Sequence, residues 1–186
     1  MTAQPPPRSS YSAGSTSNLV RSLLAVGGIL VVFFFMVPRV SSVSQPPVDV
    51  ESTARDVARS SGWAVSVPRG LPEGWQASAA RFVRSTDGLM TWHAGYISPA
   101  GHYVALEQTQ ASTQGWVEAE TNRAARTGEL TAAGKVWVKY NRDTKVQRSL
   151  LDRPQDPKAL TTLVTGDGTF EELVVLVDHL QPVTAG

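Results

Sequence analysis

QASAARFVRSTDGLMTWHAGYISPAGHYVALEQ, residues 76–108, is the stretch that decides the fold of this chain. It contains three runs typical of β-strands, 76–84, 89–98 and 103–108. They are separated by Asp87-Gly88 and by the segment from Pro99 to His102, and such clusters are typical of turns. Because parallel neighbours need crossovers of about a dozen residues or more, these short links predict antiparallel hairpins.

Further helices and strands extend this meander into a domain. Helices are predicted over 49–61 and 112–121, the second with Ser112 as a candidate N-cap, and a third helix follows Thr169. Additional strand-like runs occupy 63–67, 129–131, 136–141, 146–151 and 160–165. Short links join most of them. The sequence therefore predicts an α+β domain over 49–182, with an antiparallel sheet of about seven strands and two or three helices.

The last helix has the best-defined beginning. Thr169 and Glu172 match a capping box, in which the hydroxyl accepts a hydrogen bond from the third backbone N–H and the carboxylate reaches back. This pairing also explains Glu171 and Glu172 as first-turn residues rather than as a pair of acid and base catalysts. Pro182 is expected to end the helix. Apolar residues recur at helical spacing and predict a stripe that packs on the sheet: Leu173, Leu176, Val177 and Leu180.

An apolar segment precedes the domain. Residues 23–37 form an unbroken apolar run, which with Leu19 and Val20 approaches the ~20 residues that cross a ~30 Å hydrocarbon core. The sequence predicts a transmembrane signal-anchor over 19–40, a disordered tail at 1–18 rich in proline and serine, and a linker at 41–48. A cleaved signal peptide is the alternative, since small residues follow at Ser41 and Ser42.

Charge and composition narrow the classes of function. The first 48 residues hold three arginines and no acidic residue, with Arg8 and Arg21 before the apolar run and Arg39 after it. This distribution favours a cytoplasmic N-terminus and an extracytoplasmic domain at the cell membrane. After residue 48, 14 basic residues stand against 16 acidic ones, a net charge of −2, which argues against nucleic-acid binding. With no cysteine, the chain has neither disulfides nor thiolate metal sites.

No pattern of residues marks a catalytic, cofactor or metal site. His93, His102 and His179 are the three histidines, and none lies at a spacing typical of metal ligands. A nucleophile elbow and glycine-rich phosphate loops are absent from the sequence. The sequence thus predicts a protein that is not an enzyme and needs no cofactor or metal.

Tryptophans offer the best candidates for ligand contact. All five lie after residue 62, and most are expected in the core, since each aromatic side chain buries roughly 150–250 Å². Aromatic side chains also line the surfaces that bind peptides and carbohydrates. Trp92, Trp116 and Trp137 are the candidates for such a ligand groove.

The Leu-Pro-Glu-Gly-Trp turn (71–75), the central sheet and the closing Thr-Phe-Glu-Glu-Leu helix (169–173) resemble two groups of proteins. From about Leu19 to Pro182 the chain resembles an actinobacterial family of single-pass membrane proteins of unknown function. More distantly, it is similar to the extracytoplasmic domains of sigma-factor regulators of the RseB and MucB kind. The second resemblance implies a curved antiparallel sheet, a half-barrel that cradles helices, with a groove suited to lipid or peptide.

The function predicted from these features is a membrane-anchored, non-enzymatic binding or scaffolding domain of the cell envelope. Its expected partner is another envelope protein, a peptide or a lipid, and not a nucleic acid. Two alternatives stay open. One is an envelope sensor that binds a lipid or peptide and passes a signal inward, and the other is an envelope hydrolase whose site no motif marks.

Overall fold

The computed structural model describes residues 15–36 and 48–183. The chain divides into two compact units, Met1–Gln45 and Pro46–Gly186. Residues 1–14 of the predicted tail, 37–40 of the predicted span and 41–47 of the predicted linker lie outside the described residues.

The first unit contains helix α1, Ser15–Met36. It begins earlier than residue 19, the predicted beginning, because no proline or glycine follows Ser15 to interrupt the first turns. Its large apolar side chains are exposed, Leu23 by 72% and Phe33 by 63%. Among helices formed by the described residues, none has both the length and the hydropathy that a membrane span requires. The transmembrane segment over 19–40 stays a prediction.

The second unit is an α+β domain, as predicted. Within the described residues its helices are α2 (Val50–Ser61), α3 (Gln114–Glu120) and α4 (Phe170–Asp178). Its strands are β1 (Ser66–Pro68), β2 (Gln76–Arg84), β3 (Met90–Ile97), β4 (Tyr103–Gln110), β5 (Ala125–Ala132), β6 (Lys135–Arg142), β7 (Gln147–Asp152), β8 (Leu160–Gly166) and β9 (Leu180–Pro182).

Seven of these strands form one antiparallel sheet in the order β2-β3-β4-β8-β7-β6-β5. Two meanders, β2 to β4 and β5 to β8, meet where β4 pairs with β8, with Val104 opposite Gly166. The antiparallel sheet of seven strands is thus confirmed. The strand predicted at 63–67 lies at Ser66–Pro68 in the structure, where it is β1. It is not part of the large sheet but pairs with β9 in a separate two-stranded sheet.

The ends of the helices follow local capping chemistry. Asp49 caps α2 by accepting a hydrogen bond from the Ser52 backbone N–H. The capping box of Thr169 and Glu172 at the beginning of α4 is confirmed. The expectation for α3 is wrong, because its N-cap is Thr113. The hydroxyl of Ser112 instead lies 2.8 Å from that of Thr161 on β8.

Successive side chains along each strand point to opposite sides of the large sheet, which therefore has two faces. On the first face, Trp92, Leu106 and Val164 lie in the main hydrophobic core. Helices α2 and α4 supply the other layer of that core through Val57 and Leu176, among others. This is the arrangement expected of amphipathic helices that pack on a sheet. Helix α4 ends at Asp178, ahead of Pro182, because the chain turns there into β9.

The second face has a smaller apolar cover. Helix α3 packs Trp116 and Val117 against Leu151 and Leu163 in a separate cluster. Elsewhere on this face the strands bury polar side chains. Four of them are less than 9% exposed: His93, Glu107, Ser149 and Thr165. Buried polar groups of this kind need hydrogen-bond partners, so their contacts identify the candidate site.

Candidate functional site

The three tryptophans proposed for a ligand groove lie in the interior. Trp92 and Trp116 are 0% exposed and Trp137 is 2% exposed. Each indole N–H donates to a protein acceptor: the Ser66 carbonyl oxygen, the Thr91 hydroxyl and the Ala132 carbonyl oxygen, in that order. The reason is the size of the indole, since its burial with a satisfied N–H stabilises the core. The structure therefore does not provide the aromatic groove predicted for these residues.

A chain of ionisable groups occupies the second face instead. His93 on β3 lies directly opposite Glu107 on β4 in the strand register. The Nδ1 atom of His93 is 2.5 Å from Oε1 of Glu107, and both residues are about 5–6% exposed. The phenol oxygen of Tyr103 lies 3.0 Å from the other ring nitrogen, Nε2. Glu107, His93 and Tyr103 thus form one continuous hydrogen-bonded chain.

Gly95 makes room for the phenol of Tyr103 to reach His93. A Cβ atom at Gly95 would lie 2.6 Å from the phenol oxygen and 3.1 Å from Oγ of Ser78. Any larger residue would therefore displace the ring. Oγ of Ser78 is buried and has no hydrogen-bond partner among the described residues. The phenol oxygen and this unpartnered hydroxyl flank the same small space.

The pKa of Tyr103 keeps its phenol available as a hydrogen-bond donor. Burial raises the pKa of the phenol, and the negative charge of Glu107 raises it further, against a smaller lowering by Arg81. A phenol whose usual pKa is about 10 therefore stays protonated at neutral pH. It has a proton to donate to Nε2 of His93.

Glu120, at the end of α3, adds a second carboxyl group near this chain. Burial raises the pKa of Glu120 to about 7, and the charge of Glu107 acts in the same direction. His93 and Arg81 oppose the increase. Glu120 therefore changes its charge close to neutral pH. The set of His93, Tyr103, Glu107 and Glu120 is called the second-face site below.

A pocket of about 300 Å³ lies beside this site and has Tyr103 in its wall. Gln147 on β7 fixes another part of the wall, because its amide donates to the Glu120 carbonyl oxygen and to the Thr165 hydroxyl, each at 3.0 Å. Tyr103 connects this pocket with the buried carboxylate of Glu107. The remaining lining residues come from the β6–β7 link and the end of β8: Val146, Gly166 and Asp167.

The other two histidines have structural contacts. Nδ1 of His102 lies 2.9 Å from Oε2 of Glu172, whose other oxygen accepts from Ser98 at 2.5 Å. Burial opposes ionisation of Glu172, but the hydrogen bonds from Ser98, the Thr169 backbone and His102 hold its pKa below the usual value. These contacts fasten the β3–β4 turn to the beginning of α4. His179 bonds through Nδ1 to the Val175 carbonyl oxygen.

The described residues form no cluster of metal ligands. Across residues 15–36 and 48–183, no group of three or more His, Asp or Glu side chains lies close enough to hold a metal ion. His93 and Glu107 form a pair, and Glu120 interacts with them through charge alone.

Motif spacing missed the second-face site because its members are neighbours across strands. His93 and Glu107 are separated by 14 positions, which matches no local motif. A usable signal was present nonetheless. Both lie at equal distances from Ala100, near the middle of the predicted Pro99-to-His102 turn, so a symmetric hairpin places them opposite each other.

Comparison with known proteins gives a family and a weak structural likeness. A family model described as "Protein of unknown function (DUF4245)" matches residues 12–180, in agreement with the resemblance to a family of unknown function. None of the curated proteins compared with the chain matches it. Among solved structures, "Crystal structure of MucB in complex with MucA(peri)" matches with a TM-score of 0.41 and 14% identity. The match covers 66% of this chain and 38% of that chain, less than half of its length.

Proposed function

We propose that this chain, which belongs to the DUF4245 family of proteins of unknown function, is a membrane-anchored, non-enzymatic binding protein of the cell envelope. In this proposal α1 is the anchor, and the domain lies outside the cytoplasm. The partner of the domain is another envelope protein, or a peptide that belongs to such a protein. This partner contacts the second-face site beside Tyr103. The observation that carries the proposal is the buried chain from Glu107 through His93 to Tyr103.

The burial of the hydrogen-bonded side chains from Glu107 to Tyr103 favours a functional role. Ionisable groups withdrawn from water cost free energy even when they are paired, and apolar residues of similar size are often as stabilising. Groups of this kind with shifted pKa values cluster at functional sites. Glu120, with its pKa near 7, and Tyr103, with a raised pKa, both belong to this class.

The protonation of Tyr103 favours binding over catalysis. A nucleophilic phenolate or a basic phenolate requires a lowered pKa, which a cation or an adjacent base would supply. Burial and the charge of Glu107 act in the opposite direction here. A neutral phenol held by His93 is instead a rigid hydrogen-bonding group with an apolar ring, which is typical of residues at protein interfaces.

Photo-crosslinking in intact cells tests the partner. A crosslinking amino acid replaces Val146, which is 57% exposed beside the pocket, or exposed Arg81 on β2. The matched control position is Arg55, exposed on α2. We expect the same envelope protein to be captured from positions 146 and 81 and not from position 55, as identified by mass spectrometry.

Tyr103→Phe sharpens this experiment because it removes the phenol oxygen and keeps the ring. We expect capture to fall by at least about tenfold, whereas Tyr140→Phe leaves it unchanged. Equal capture from position 55, or capture that is indifferent to Tyr103→Phe, would show that the second-face site is not the interface. Capture of lipid alone would refute the protein partner. A turnover found in a hydrolase screen and lost in Glu107→Gln would refute the non-enzymatic role.

Membrane fractionation tests the anchor separately. The full chain should stay in the membrane after an alkaline wash, and protease added outside intact cells should digest the domain. Leu24→Arg combined with Val31→Arg should release the chain, since each arginine in the middle of a span costs roughly 2.5–3.5 kcal/mol. A wild-type chain that the wash extracts completely would contradict the anchor.

A further inference from the structure

Trp63 differs from the buried tryptophans in its hydrogen bonding. It lies just after α2 and is half-buried, with its ring edge-on to Phe82 at a centroid distance of 5.3 Å and an angle of 85°. Its backbone N–H donates to the Ser61 hydroxyl. Its indole N–H donates to no protein group in the described part of the chain. Indole N–H groups usually find an acceptor when they are buried. That of the half-buried Trp63 is open to solvent or to a ligand.

Trp63 is one of the residues that line a groove of about 430 Å³ at the end of the first face of the sheet. This volume falls within the range of about 300–1,000 Å³ that is usual for sites that bind small molecules. The groove is called the side groove below. The residues that matter for its chemistry are Trp63, Ser66, Gln108, Lys135, Lys158 and Thr162.

Its floor is a rigid set of polar groups. Gln108 is 3% exposed. Its amide oxygen accepts from the Ser66 backbone N–H at 2.7 Å, and its amide nitrogen donates to the hydroxyls of Thr162 at 3.0 Å and Ser66 at 3.3 Å. These bonds fix the positions of the amide and both hydroxyls before any ligand arrives, which lowers the entropic cost of binding.

Its rim carries positive charge. Lys135 lies 2.6 Å from Asp152. The side chain of Lys158 makes no ion pair within the described residues, and the nearby carboxylate of Asp156 accepts from the Lys158 backbone N–H at 2.9 Å. No aspartate or glutamate is among the lining residues of the side groove. The second-face site, by contrast, contains two glutamates. The unpaired ammonium of Lys158 is therefore the group at the rim that can pair with an anionic ligand.

We propose that the side groove binds a saccharide that carries a carboxylate or phosphate group. The C–H face of a sugar ring matches the apolar ring of Trp63. Sugar hydroxyls match the indole N–H and the hydroxyls of Ser66 and Thr162, which accept from Gln108 and still have a proton to donate. The anionic group lies near Lys158, where a charge-assisted hydrogen bond is available. This site is separate in chemistry from the second-face site and does not depend on the function proposed there.

Nuclear magnetic resonance titration of the full chain in detergent micelles tests the proposal. The probes are glucuronate, glucose 6-phosphate and uncharged glucose, each added to millimolar concentration. We expect the indole N–H signal of Trp63 and the side-chain amide signals of Gln108 to shift with both anions. Glucose should bind at least about tenfold more weakly, because it lacks the charge. A response to one anion alone assigns the group as carboxylate or phosphate.

Two variants and one control locate the binding. Lys158→Gln removes an exposed charge and should weaken binding of the anions by about tenfold, with little effect on glucose. Trp63→Phe keeps an aromatic ring, removes the indole N–H and should weaken all three probes. Lys145→Gln, in the exposed β6–β7 link outside the groove, is the matched control. No shift with any probe, equal affinity for glucose and the anions, or binding unchanged in Lys158→Gln would each overturn the proposal.

Discussion

The two faces of the large sheet are built on different principles. On the first face Trp92, Leu106 and Val164 pack under two amphipathic helices, and the buried tryptophan N–H groups are all satisfied. On the second face the same strands bury His93 and Glu107, and the smaller helix α3 covers one apolar cluster. The first face therefore provides most of the stability. The second contains ionisable groups whose burial costs free energy, which is the pattern expected where a ligand or partner acts.

The largest effect should come from the first face. Leu106→Ala removes a side chain that is 0% exposed in the main core and should lower the free energy of unfolding by about 3 kcal/mol. Urea unfolding of the full chain, followed by tryptophan fluorescence, measures the change. Val136→Ala, at a site 59% exposed, is the control and should stay within about 0.5 kcal/mol. If both variants lost the same free energy of unfolding, Leu106 would contribute no more to stability than the exposed Val136, and the first face would not be the main source of stability.

A smaller effect is expected from the buried pair on the second face. Glu107→Leu or His93→Leu alone should cost about 2 kcal/mol, because each leaves a buried polar partner unsatisfied. The double variant should cost little more than either single one, which gives a coupling free energy of about 2 kcal/mol. The same urea experiment measures all three. Additive losses would show that the 2.5 Å contact contributes no coupling to stability.

The smallest effect concerns Glu120 and depends on pH. Its pKa in the folded chain, about 7, is above the usual unfolded value of about 4.3. The folded state therefore holds the proton more tightly, and stability falls as the pH rises from about 4.5 to 7. Glu120→Gln should raise the free energy of unfolding by about 1 kcal/mol at pH 8, after discounting for partial exposure, and change little at pH 4.

Thermal unfolding across this pH range measures the effect, which corresponds to about 2–4 °C in Tm at pH 8. Glu118→Gln, at an exposed site one turn or less away on α3, is the matched control. Two results would contradict the assignment of this pH dependence to Glu120. One is an equal increase in Tm for Glu118→Gln, and the other is an increase for Glu120→Gln that is the same at pH 4 and pH 8.

Local patterns predicted the elements better than their assembly. Turn residues and alternation gave β2 at 76–84 with the same ends as the structure, and the capping box located the beginning of α4. The pairing of β4 with β8 joins Val104 to Gly166 across a long stretch of chain, and no local pattern carries that information. No local pattern predicted β9 either. The sequence led us to expect a helix up to Pro182, but Leu180–Pro182 form a strand.

The candidate site was predictable only in part. His93 and Glu107 follow from the symmetry of one hairpin, so a register argument could have found the pair. Glu120 comes from a helix that follows the hairpin, and its interaction with Glu107 depends on how α3 packs on the sheet. The tryptophan groove failed because indole size favours burial for Trp92, Trp116 and Trp137. Sequence does not show that the half-buried Trp63, like Trp75, has an indole N–H without a protein acceptor among the described residues.

The pairing of β1 with β9 sets the order in which the domain can be completed during synthesis. Ser66 lies opposite Pro182, and the Val183 backbone N–H donates to the Val65 carbonyl oxygen. A ribosome makes the chain from its N-terminus, so β1 has no strand partner until residues 180–183 have emerged. Closure of the ribbon is therefore a late event, and nascent chains that stop before β9 should be more sensitive to protease than the finished protein.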